Sequence, residues 1–264
     1  MTRGEFLRTG GLPRQELAQL LCAALSLDRA QIYTAPELDI PAPLLRKLRG
    51  QVRRRLEGWP LQYLLGTAWF WSRPLRVGPG VLVPRPETEI LVQEALRRAP
   101  VGGRVADIGT GSGAIALALG VERPDLHIVA VEKSRRALRY ARQNLAGIAE
   151  AVEGDLLSPL REVQDVIVSN PPYISADEYR SLPSDVRREP RAALHGGPDG
   201  LAVVRRLAEK APGHLARGGW IILEVGAGQA ENALQILEQS GFVERFAQED
   251  LAGIPRVVGG RTPC

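Results

Sequence analysis

Apolar positions follow two different periods along the chain. Between residues 12 and 57 they recur every three or four positions, as at Leu17, Leu20, Leu21 and Leu25, which predicts amphipathic helices. From residue 104 onward, short continuous apolar runs alternate with helical stretches. The pattern therefore predicts a small helical N-terminal domain followed by a larger α/β domain.

The second region contains seven predicted strands. They lie at residues 105–108, 127–131, 151–152, 165–169, 219–225, 243–247 and 256–258, with helices predicted at 114–119, 134–145 and 230–239. Continuous apolar strands that alternate with helices are typical of a sheet covered on both faces. We therefore predict a doubly wound, mostly parallel seven-stranded sheet.

A turn signal separates the two regions. The β-prone runs 75–77 and 81–83 flank Gly78-Pro79-Gly80, which predicts a β-hairpin with its turn at the glycines. We therefore divide the chain into a helical domain at 1–67, a β-hairpin linker at 68–84 and an α/β domain at 85–264.

A glycine-rich segment follows the first strand of the α/β domain. Asp107-Ile108-Gly109-Thr110-Gly111-Ser112-Gly113 leads from a strand into a helix, and glycine there allows the backbone to approach a ligand closely. Glu132 ends the next strand, where a carboxylate can accept hydrogen bonds from ribose hydroxyls. The two features together predict an adenosine-type ligand, and the Gly-x-Gly-x-Gly spacing favours S-adenosylmethionine over a dinucleotide.

The remaining part of the predicted ligand site follows the short third strand. Asp155 and Leu156 stand just after residues 151–152. By position, Asp155 can accept a hydrogen bond from the exocyclic amine of adenine, and Leu156 can pack against the ring.

Asn170-Pro171-Pro172-Tyr173 follows the strand at 165–169 directly, at the edge of the sheet where ligands bind. The Asn170 side-chain oxygen and the Pro171 carbonyl can accept both N–H groups of a planar –NH₂. Pro171 and Pro172 stiffen the loop, and Tyr173 offers an aromatic face to a planar group. The motif predicts transfer of a methyl group to an amide or amino nitrogen.

Composition narrows the class of protein. There is no apolar run long enough for a membrane span, and the N-terminus lacks the apolar core of a signal peptide. Cys22 and Cys264 have no metal-ligand spacing, so we expect no metal site and a reducing cytoplasm. The net charge of +4 permits an anionic partner without requiring one. The arginine-rich run 46–55 fits either a solvated helix face or a partner contact.

The chain resembles the bacterial release factor glutamine N5-methyltransferase family (HemK-type) over essentially its whole length. The segments that carry the resemblance are Gly58 to Gly66, Val83-Pro84-Arg85-Pro86-Glu87-Thr88-Glu89, Asp107 to Gly113, Asn170 to Tyr173, Glu189-Pro190 with Gly197 to Leu201, and Asp250 to Arg256. Asn-Pro-Pro-Tyr alone also occurs in DNA adenine methyltransferases, whereas the second and last segments are far more particular.

The resemblance implies a class I S-adenosylmethionine-dependent fold and a set of roles. Gly109, Thr110, Gly111, Ser112 and Gly113, with Asp107, Glu132, Asp155, Leu156 and Asn170, would bind S-adenosyl-L-methionine, which leaves as S-adenosyl-L-homocysteine. Asn170 to Tyr173 would hold the glutamine of a Gly-Gly-Gln motif in peptide-chain release factors, with Arg85 and Glu87 at the mouth of the site. The N-terminal domain would help to recognise the factor. Family members usually have an aromatic residue near position 156, which weakens the transfer of adenine stacking to Leu156.

Three other functions are weighed against this one. A methyltransferase for a ribosomal-protein glutamine would share fold, donor and chemistry. It is ranked second because the segment at 250–256 resembles the release factor enzymes. A DNA adenine N6-methyltransferase needs a sizeable recognition region and a basic groove, which the stretch between Tyr173 and Gly219 lacks. A non-catalytic nucleotide-binding module would not need the Asn-Pro-Pro-Tyr motif, so the intact motif argues against this alternative. We expect no direct contact with nucleic acid or membrane.

Overall fold

The helical and the strand-rich parts of the chain form separate units in the computed structural model, which describes all 264 residues. The first unit comprises Met1–Thr67 and Pro183–Arg188, and the second comprises Ala68–Leu182 and Glu189–Cys264. Pro183–Arg188 falls within the α/β domain predicted at 85–264, but the structure groups it with the first unit.

The first unit is a group of five helices. They are α1 (Arg3–Thr9), α2 (Arg14–Leu25), α3 (Arg29–Thr34), α4 (Ala42–Leu56) and α5 (Leu61–Leu65). Leu17, Leu20 and Leu21 of α2 are fully buried, in the core that the helical spacing predicts. Side-chain caps at Thr2 and Asp28 accept backbone N–H groups at the starts of α1 and α3, where such groups lack partners within the helix.

One arginine of the basic run holds this unit together. Arg55 is half-buried and pairs with Glu16 of α2 at 2.7 Å and with Asp185 at 3.3 Å. Arg188 donates to the Glu57 carbonyl at 3.0 Å and stacks over the ring of Trp59. Pro183–Arg188 is therefore fixed to the helices by ionic, hydrogen-bonding and cation–π contacts.

The second unit contains a hairpin, a seven-stranded sheet and its covering helices. Its strands, of which only the first residue, Thr67, belongs to the first unit, are β1 (Thr67–Phe70), β2 (Arg73–Arg76), β3 (Arg104–Ile108), β4 (His127–Glu132), β5 (Glu150–Glu153), β6 (Gln164–Ser169), β7 (Leu215–Glu224), β8 (Val243–Glu249) and β9 (Pro255–Arg261). Its helices are α6 (Thr88–Arg98), α7 (Ala114–Glu122), α8 (Arg135–Asn144), α9 (Ala176–Ser181), α10 (Arg191–Leu194), α11 (Ala202–Lys210) and α12 (Ala230–Gln239).

The sheet has the order β5-β4-β3-β6-β7-β9-β8. The strands from β5 to β7 are parallel, and only β9 runs antiparallel to both of its neighbours. Val105 and Ala106 of β3 pack into different buried clusters because successive strand residues face opposite sides. The predicted doubly wound, mostly parallel sheet is confirmed, and its order reverses between β3 and β6, which is where such folds bind ligands.

The predicted hairpin turn at Gly78-Pro79-Gly80 is wrong. The turn joining β1 and β2 lies at Trp71 and Ser72, whose φ values are 51° and 55°. Two successive left-handed residues match the twist of a hairpin, and the Trp71 N–H donates to Glu89 at 2.8 Å. Gly78 instead allows close packing, since a Cβ there would clash with Tyr140 of α8.

None of the helices is both long and apolar enough to cross a membrane.

Candidate active site

A cavity of about 520 Å³ opens at the carboxyl ends of β3, β4 and β6. Most of the site residues predicted from the sequence line it. These are Arg85, Gly109, Thr110, Gly111, Ser112, Glu132, Asp155, Leu156, Asn170, Pro171 and Pro172. Asp107, Gly113, Tyr173 and Glu87 lie outside the lining. The parallel register of β3 with β6 brings the two predicted loops together, since Asp107 pairs with Val168.

The glycine loop, residues 109–113, has a backbone shape that only glycine adopts readily. Gly109, Gly111 and Gly113 have φ values of 72°, 59° and 87°, in the left-handed region. A Cβ on Gly109 would meet no atom within 4 Å, so a side chain there would occupy space beside the loop. The loop thus leaves room for a ligand close to its backbone.

Several N–H groups of this loop already have acceptors. The Gly109 and Thr110 N–H groups both donate to the Val131 carbonyl, at 2.8 and 3.0 Å. The Gly111 N–H donates to Glu132 Oε2 at 2.9 Å. Much of the loop's backbone is therefore held by the protein itself.

Asp107 lies beneath the loop and is fully buried. Its Oδ2 accepts the Thr110 hydroxyl at 2.5 Å and the Ala116 N–H at 3.1 Å, and its Oδ1 has no hydrogen-bond partner. Desolvation raises the pKa of Asp107 to about 7. Asp107 therefore supports the glycine loop from behind.

Glu132 ends β4 and faces the cavity. Its second oxygen, Oε1, accepts the Ser134 N–H at 2.7 Å, so the carboxylate is held at both oxygens by backbone donors. This arrangement fixes an acidic group beside the glycine loop, at the place where a ribose is bound in related topologies.

Asp155 and Leu156 form the neighbouring wall. Asp155 pairs with Arg206 at 2.8 Å and Lys133 at 3.4 Å, and the Arg206 hydrogen bond lowers the pKa of Asp155. Leu156 has a φ of 53°, a left-handed conformation that strains a residue with a Cβ. The strained leucine lines the cavity next to the ionised aspartate.

On the opposite side, Asn170 begins the Asn-Pro-Pro-Tyr loop, residues 170–173. The Asn170 Nδ2 donates to the hydroxyl of Thr88 at 3.0 Å, and Thr88, the first residue of α6, is buried and also lines the cavity. Because the amide nitrogen points to Thr88, the amide oxygen points to the opposite side. Asn170 is therefore fixed as a hydrogen-bond acceptor.

Behind Thr88 lies a second buried carboxylate, Glu224, at the end of β7. Desolvation raises its pKa to about 7, and the nearby hydroxyls of Thr88 and Tyr173 oppose this rise. Burial also raises the pKa of Tyr173, with a smaller contribution from Glu224. Tyr173 lies outside the residues that line the cavity, whereas the sequence pattern predicts that its ring faces the target group.

The mouth of the cavity is held by Glu189. This buried carboxylate accepts the Val83 N–H at 2.8 Å and pairs with Arg85 at 2.5 Å. Arg85 lines the cavity as expected, but Glu87 is exposed because it precedes α6 and the inward position there belongs to Thr88. Thr88 is the lining residue that the sequence pattern does not single out; its position one residue after Glu87, at the start of a helix, is the available signal.

The cavity fits S-adenosylmethionine. Its volume lies within the usual range for sites of small ligands, the loop at Gly109 leaves space beside the backbone, and Glu132 supplies the acceptor for ribose hydroxyls. No group of three or more His, Cys, Asp or Glu side chains in the structure could hold a metal ion.

Comparisons with known proteins agree with this arrangement. Residues 4–66 match the family model described as the PrmC N-terminal domain, and residues 86–185 match the methyltransferase small domain. The chain is 46% identical to a release factor glutamine methyltransferase of Geobacter sulfurreducens, over 98% of this chain and 94% of that protein. It is 40% identical to the Neisseria gonorrhoeae protein of the same name, over 99% and 98%.

Solved structures share the fold at low identity. A methyltransferase from Pyrococcus furiosus superposes with a TM-score of 0.56 and 20% identity, covering 72% of this chain and 89% of that one. A Thermus thermophilus 16S rRNA N2 G1207 methyltransferase, solved with AdoMet and guanosine, has a TM-score of 0.55 and 20% identity, covering 74% and 49%.

The fold, the cavity and these matches define a class I S-adenosylmethionine-dependent methyltransferase. Identity near 40% over almost the entire chain narrows the class further. The chain belongs to the release factor glutamine methyltransferase family.

Proposed function

We propose that this enzyme transfers a methyl group from S-adenosyl-L-methionine to the side-chain amide nitrogen (N5) of the glutamine in the Gly-Gly-Gln motif of peptide-chain release factors. The observation that carries the proposal is the fixed Asn170 amide, whose nitrogen is bound to Thr88 at 3.0 Å. Its oxygen is left to accept a hydrogen bond within the same cavity as the glycine loop. The names of the full-length relatives support the choice of substrate.

The donor would be held by the glycine loop, with Glu132 on the ribose and Asp155 and Leu156 at the adenine. Asp107 and Gly113 act on this side from outside the lining, through the shape of the loop. When bound, S-adenosyl-L-methionine supplies a methyl group already activated by its sulfonium and leaves as S-adenosyl-L-homocysteine. The chain itself therefore needs to hold and orient both partners and has no need to activate the methyl group.

The acceptor would be held by the Asn-Pro-Pro-Tyr loop. An amide nitrogen is a poor nucleophile because its lone pair is delocalised into the carbonyl. The Asn170 oxygen and the Pro171 carbonyl would accept its two N–H groups, which aligns the nitrogen with the methyl group and stabilises the charge that develops on it. One amide proton is then lost to water as the new C–N bond replaces the S–C bond.

The N-terminal region, residues 1–67, would recognise the release factor, with the hairpin region 68–84 leading into the catalytic region 85–264. The N-terminal region has a hydrophobic core of its own, which supports a separate role in recognition. Arg85 and Glu87 would contact the substrate at the mouth of the cavity. Such a reaction belongs in the cytoplasm, with the release factor as a direct protein partner and without binding of nucleic acid or membrane.

The proposal is tested by incubating the purified enzyme with radiolabelled S-adenosylmethionine and one of four acceptors. These are a release factor, the same factor with its Gly-Gly-Gln glutamine changed to alanine, ribosomal proteins, and duplex DNA. Label on the first acceptor alone is expected. Label on ribosomal proteins or DNA instead would leave the methyltransferase activity standing and contradict the proposed substrate.

A further inference from the structure

Gly197 to Leu201 is one of the segments that carry the family resemblance, yet none of its residues lines the cavity. It belongs to loop 195–201, which joins α10 to α11. A direct contact with the donor or the target group therefore does not account for it. The structure places this loop against the Asn-Pro-Pro-Tyr loop and the residue that follows it.

The two loops meet backbone to backbone. A Cβ added to Gly196 would lie 2.4 Å from the Pro172 carbonyl oxygen. One added to Gly200 would lie 2.1 Å from the Tyr173 carbonyl oxygen. The Gly196 N–H also donates to the Ile174 carbonyl at 2.8 Å. Only glycine permits so close an approach, so the two backbones support each other directly.

The Asn-Pro-Pro-Tyr loop needs support from other segments because of its own sequence. Pro171 and Pro172 have no N–H group, so two successive residues cannot donate a backbone hydrogen bond. The backbone there can be held only through carbonyl oxygens, and these need donors from elsewhere in the chain. The carbonyl at the end of the loop, that of Tyr173, has such a donor.

This donor is the side chain of Gln229, just before α12. Its Nε2 donates to the Tyr173 carbonyl at 2.8 Å and to the Asp199 carbonyl at 3.3 Å. Its Oε1 accepts the Gly226 N–H at 2.9 Å. One amide therefore ties the end of the Asn-Pro-Pro-Tyr loop to loop 195–201 and to the turn that follows β7.

The orientation of the Gln229 amide is fixed by its partners. A half-turn would place Oε1 against two carbonyl oxygens and Nε2 against an N–H group, so every one of these hydrogen bonds would be lost. Loop 195–201 is itself held by Asp199, whose carboxylate accepts the Leu201 N–H at 3.1 Å and pairs with Arg205. The donor that reaches Tyr173 is therefore part of a well-restrained frame.

We infer that Gln229 is a positioning residue, which holds the Tyr173 end of the Asn-Pro-Pro-Tyr loop and thereby keeps both acceptors of the target amide in place. These acceptors are the Asn170 side-chain oxygen and the Pro171 carbonyl, so the inference rests on the proposed function. Thr88 restrains the other end of the loop through its 3.0 Å hydrogen bond with Asn170. The two prolines between these ends transmit the restraint because their φ angles are fixed.

The test uses two variants of the intact enzyme, assayed with a release factor at about pH 9, where a glutamate side chain is ionised. Gln229→Met has nearly the same length and removes the hydrogen bonds to Tyr173, Asp199 and Gly226. Gln229→Glu keeps an acceptor for the Gly226 N–H but turns a carboxylate toward the two carbonyl oxygens. We expect kcat to fall by about 10- to 100-fold in both, the scale for a misplaced reacting group.

Two binding measurements separate positioning from structural damage. Calorimetry should give the wild-type affinity for S-adenosylmethionine in both variants, because Gln229 does not line the cavity. KM for the release factor should change much less than kcat, because a protein substrate binds over an area far larger than one loop.

Gln164→Met is the matched control. Gln164 also donates from Nε2 to a backbone carbonyl, that of Glu162 at 2.8 Å, but it lies at the start of β6 and outside the cavity. We expect its kcat to stay at the wild-type level.

Near-normal kcat in folded Gln229→Met or Gln229→Glu would overturn the inference and leave the proposed function intact. Equal losses in donor affinity and kcat would also overturn it, since a general loosening of the fold would then suffice. A wild-type enzyme that labels no release factor would instead show that the proposed function fails.

Discussion

The glycine loop and the Asn-Pro-Pro-Tyr loop are each held through a threonine hydroxyl, and a buried carboxylate lies near each threonine. Asp107 accepts a hydrogen bond from the Thr110 hydroxyl at 2.5 Å, and the Thr88 hydroxyl, near Glu224, accepts one from Asn170 at 3.0 Å. Desolvation raises the pKa of both acids to about 7, and each keeps one oxygen without a partner.

The two supports differ in what they control. Thr110 is part of the glycine loop, so Asp107 sets a backbone shape within one short stretch of sequence. Thr88 is the first residue of α6, 82 positions from Asn170, so it holds the Asn170 side chain through a tertiary contact. The comparison teaches that the donor side of the cavity depends on local backbone and the acceptor side on a tertiary contact between side chains.

The largest effect is expected on the acceptor side. Asn170→Ala removes the acceptor for the glutamine amide, and loss of one preorganised contact of this kind costs about 100- to 1,000-fold in kcat. Donor affinity, measured by calorimetry, should change little because the glycine loop and Glu132 remain. Substantial turnover by this variant would contradict the proposed role of Asn170.

The matching change on the donor side is Glu132→Ala. It should weaken S-adenosylmethionine binding by roughly 1–3 kcal/mol, the scale for losing charge-assisted hydrogen bonds. The control is Asp165→Ala, which removes another carboxylate that accepts a backbone N–H, from Arg104 at 2.8 Å, but lies outside the cavity. Equal affinity for S-adenosylmethionine in Glu132→Ala and the wild type would contradict the proposed binding of the ribose by Glu132.

The pH dependence of stability should reveal the raised pKa of both buried acids, Asp107 and Glu224. A carboxyl whose pKa is higher in the folded state than in the unfolded chain stabilises the fold fully below its unfolded pKa, and this contribution is lost as pH rises through the folded pKa. The free energy of unfolding should therefore decline between about pH 4 and pH 7 relative to Asp107→Asn and Glu224→Gln, which cannot ionise. Urea denaturation across this range measures it, and parallel pH profiles would show that neither acid has a raised pKa.

The smallest effect is expected in the N-terminal helices. Arg49 on α4 is exposed, so replacing it with glutamate should raise KM for the release factor by about 5-fold or less, because one exposed ion pair contributes at most about 1 kcal/mol. Donor affinity should not change. An unaltered KM would assign this face to solvent.

Much of the fold and the donor site could be predicted from the sequence because their signals are local. Apolar runs mark the strands, and three glycines spaced by single residues mark the loop at Gly109. The hairpin turn was misplaced because Trp71 and Ser72 adopt left-handed conformations that neither residue type favours, stabilised by a contact with Glu89. The Asn170–Thr88 contact joins residues far apart in the chain, so no local pattern reveals it.

The transfer of the methyl group to a side-chain amide is tested most directly by locating that group. A release factor treated with this enzyme and S-adenosylmethionine is digested and sequenced by tandem mass spectrometry. One methyl group on the side-chain nitrogen of the Gly-Gly-Gln glutamine is the expected result. A methyl group on any other residue, or an unmodified factor from an enzyme that binds the donor, would contradict the account.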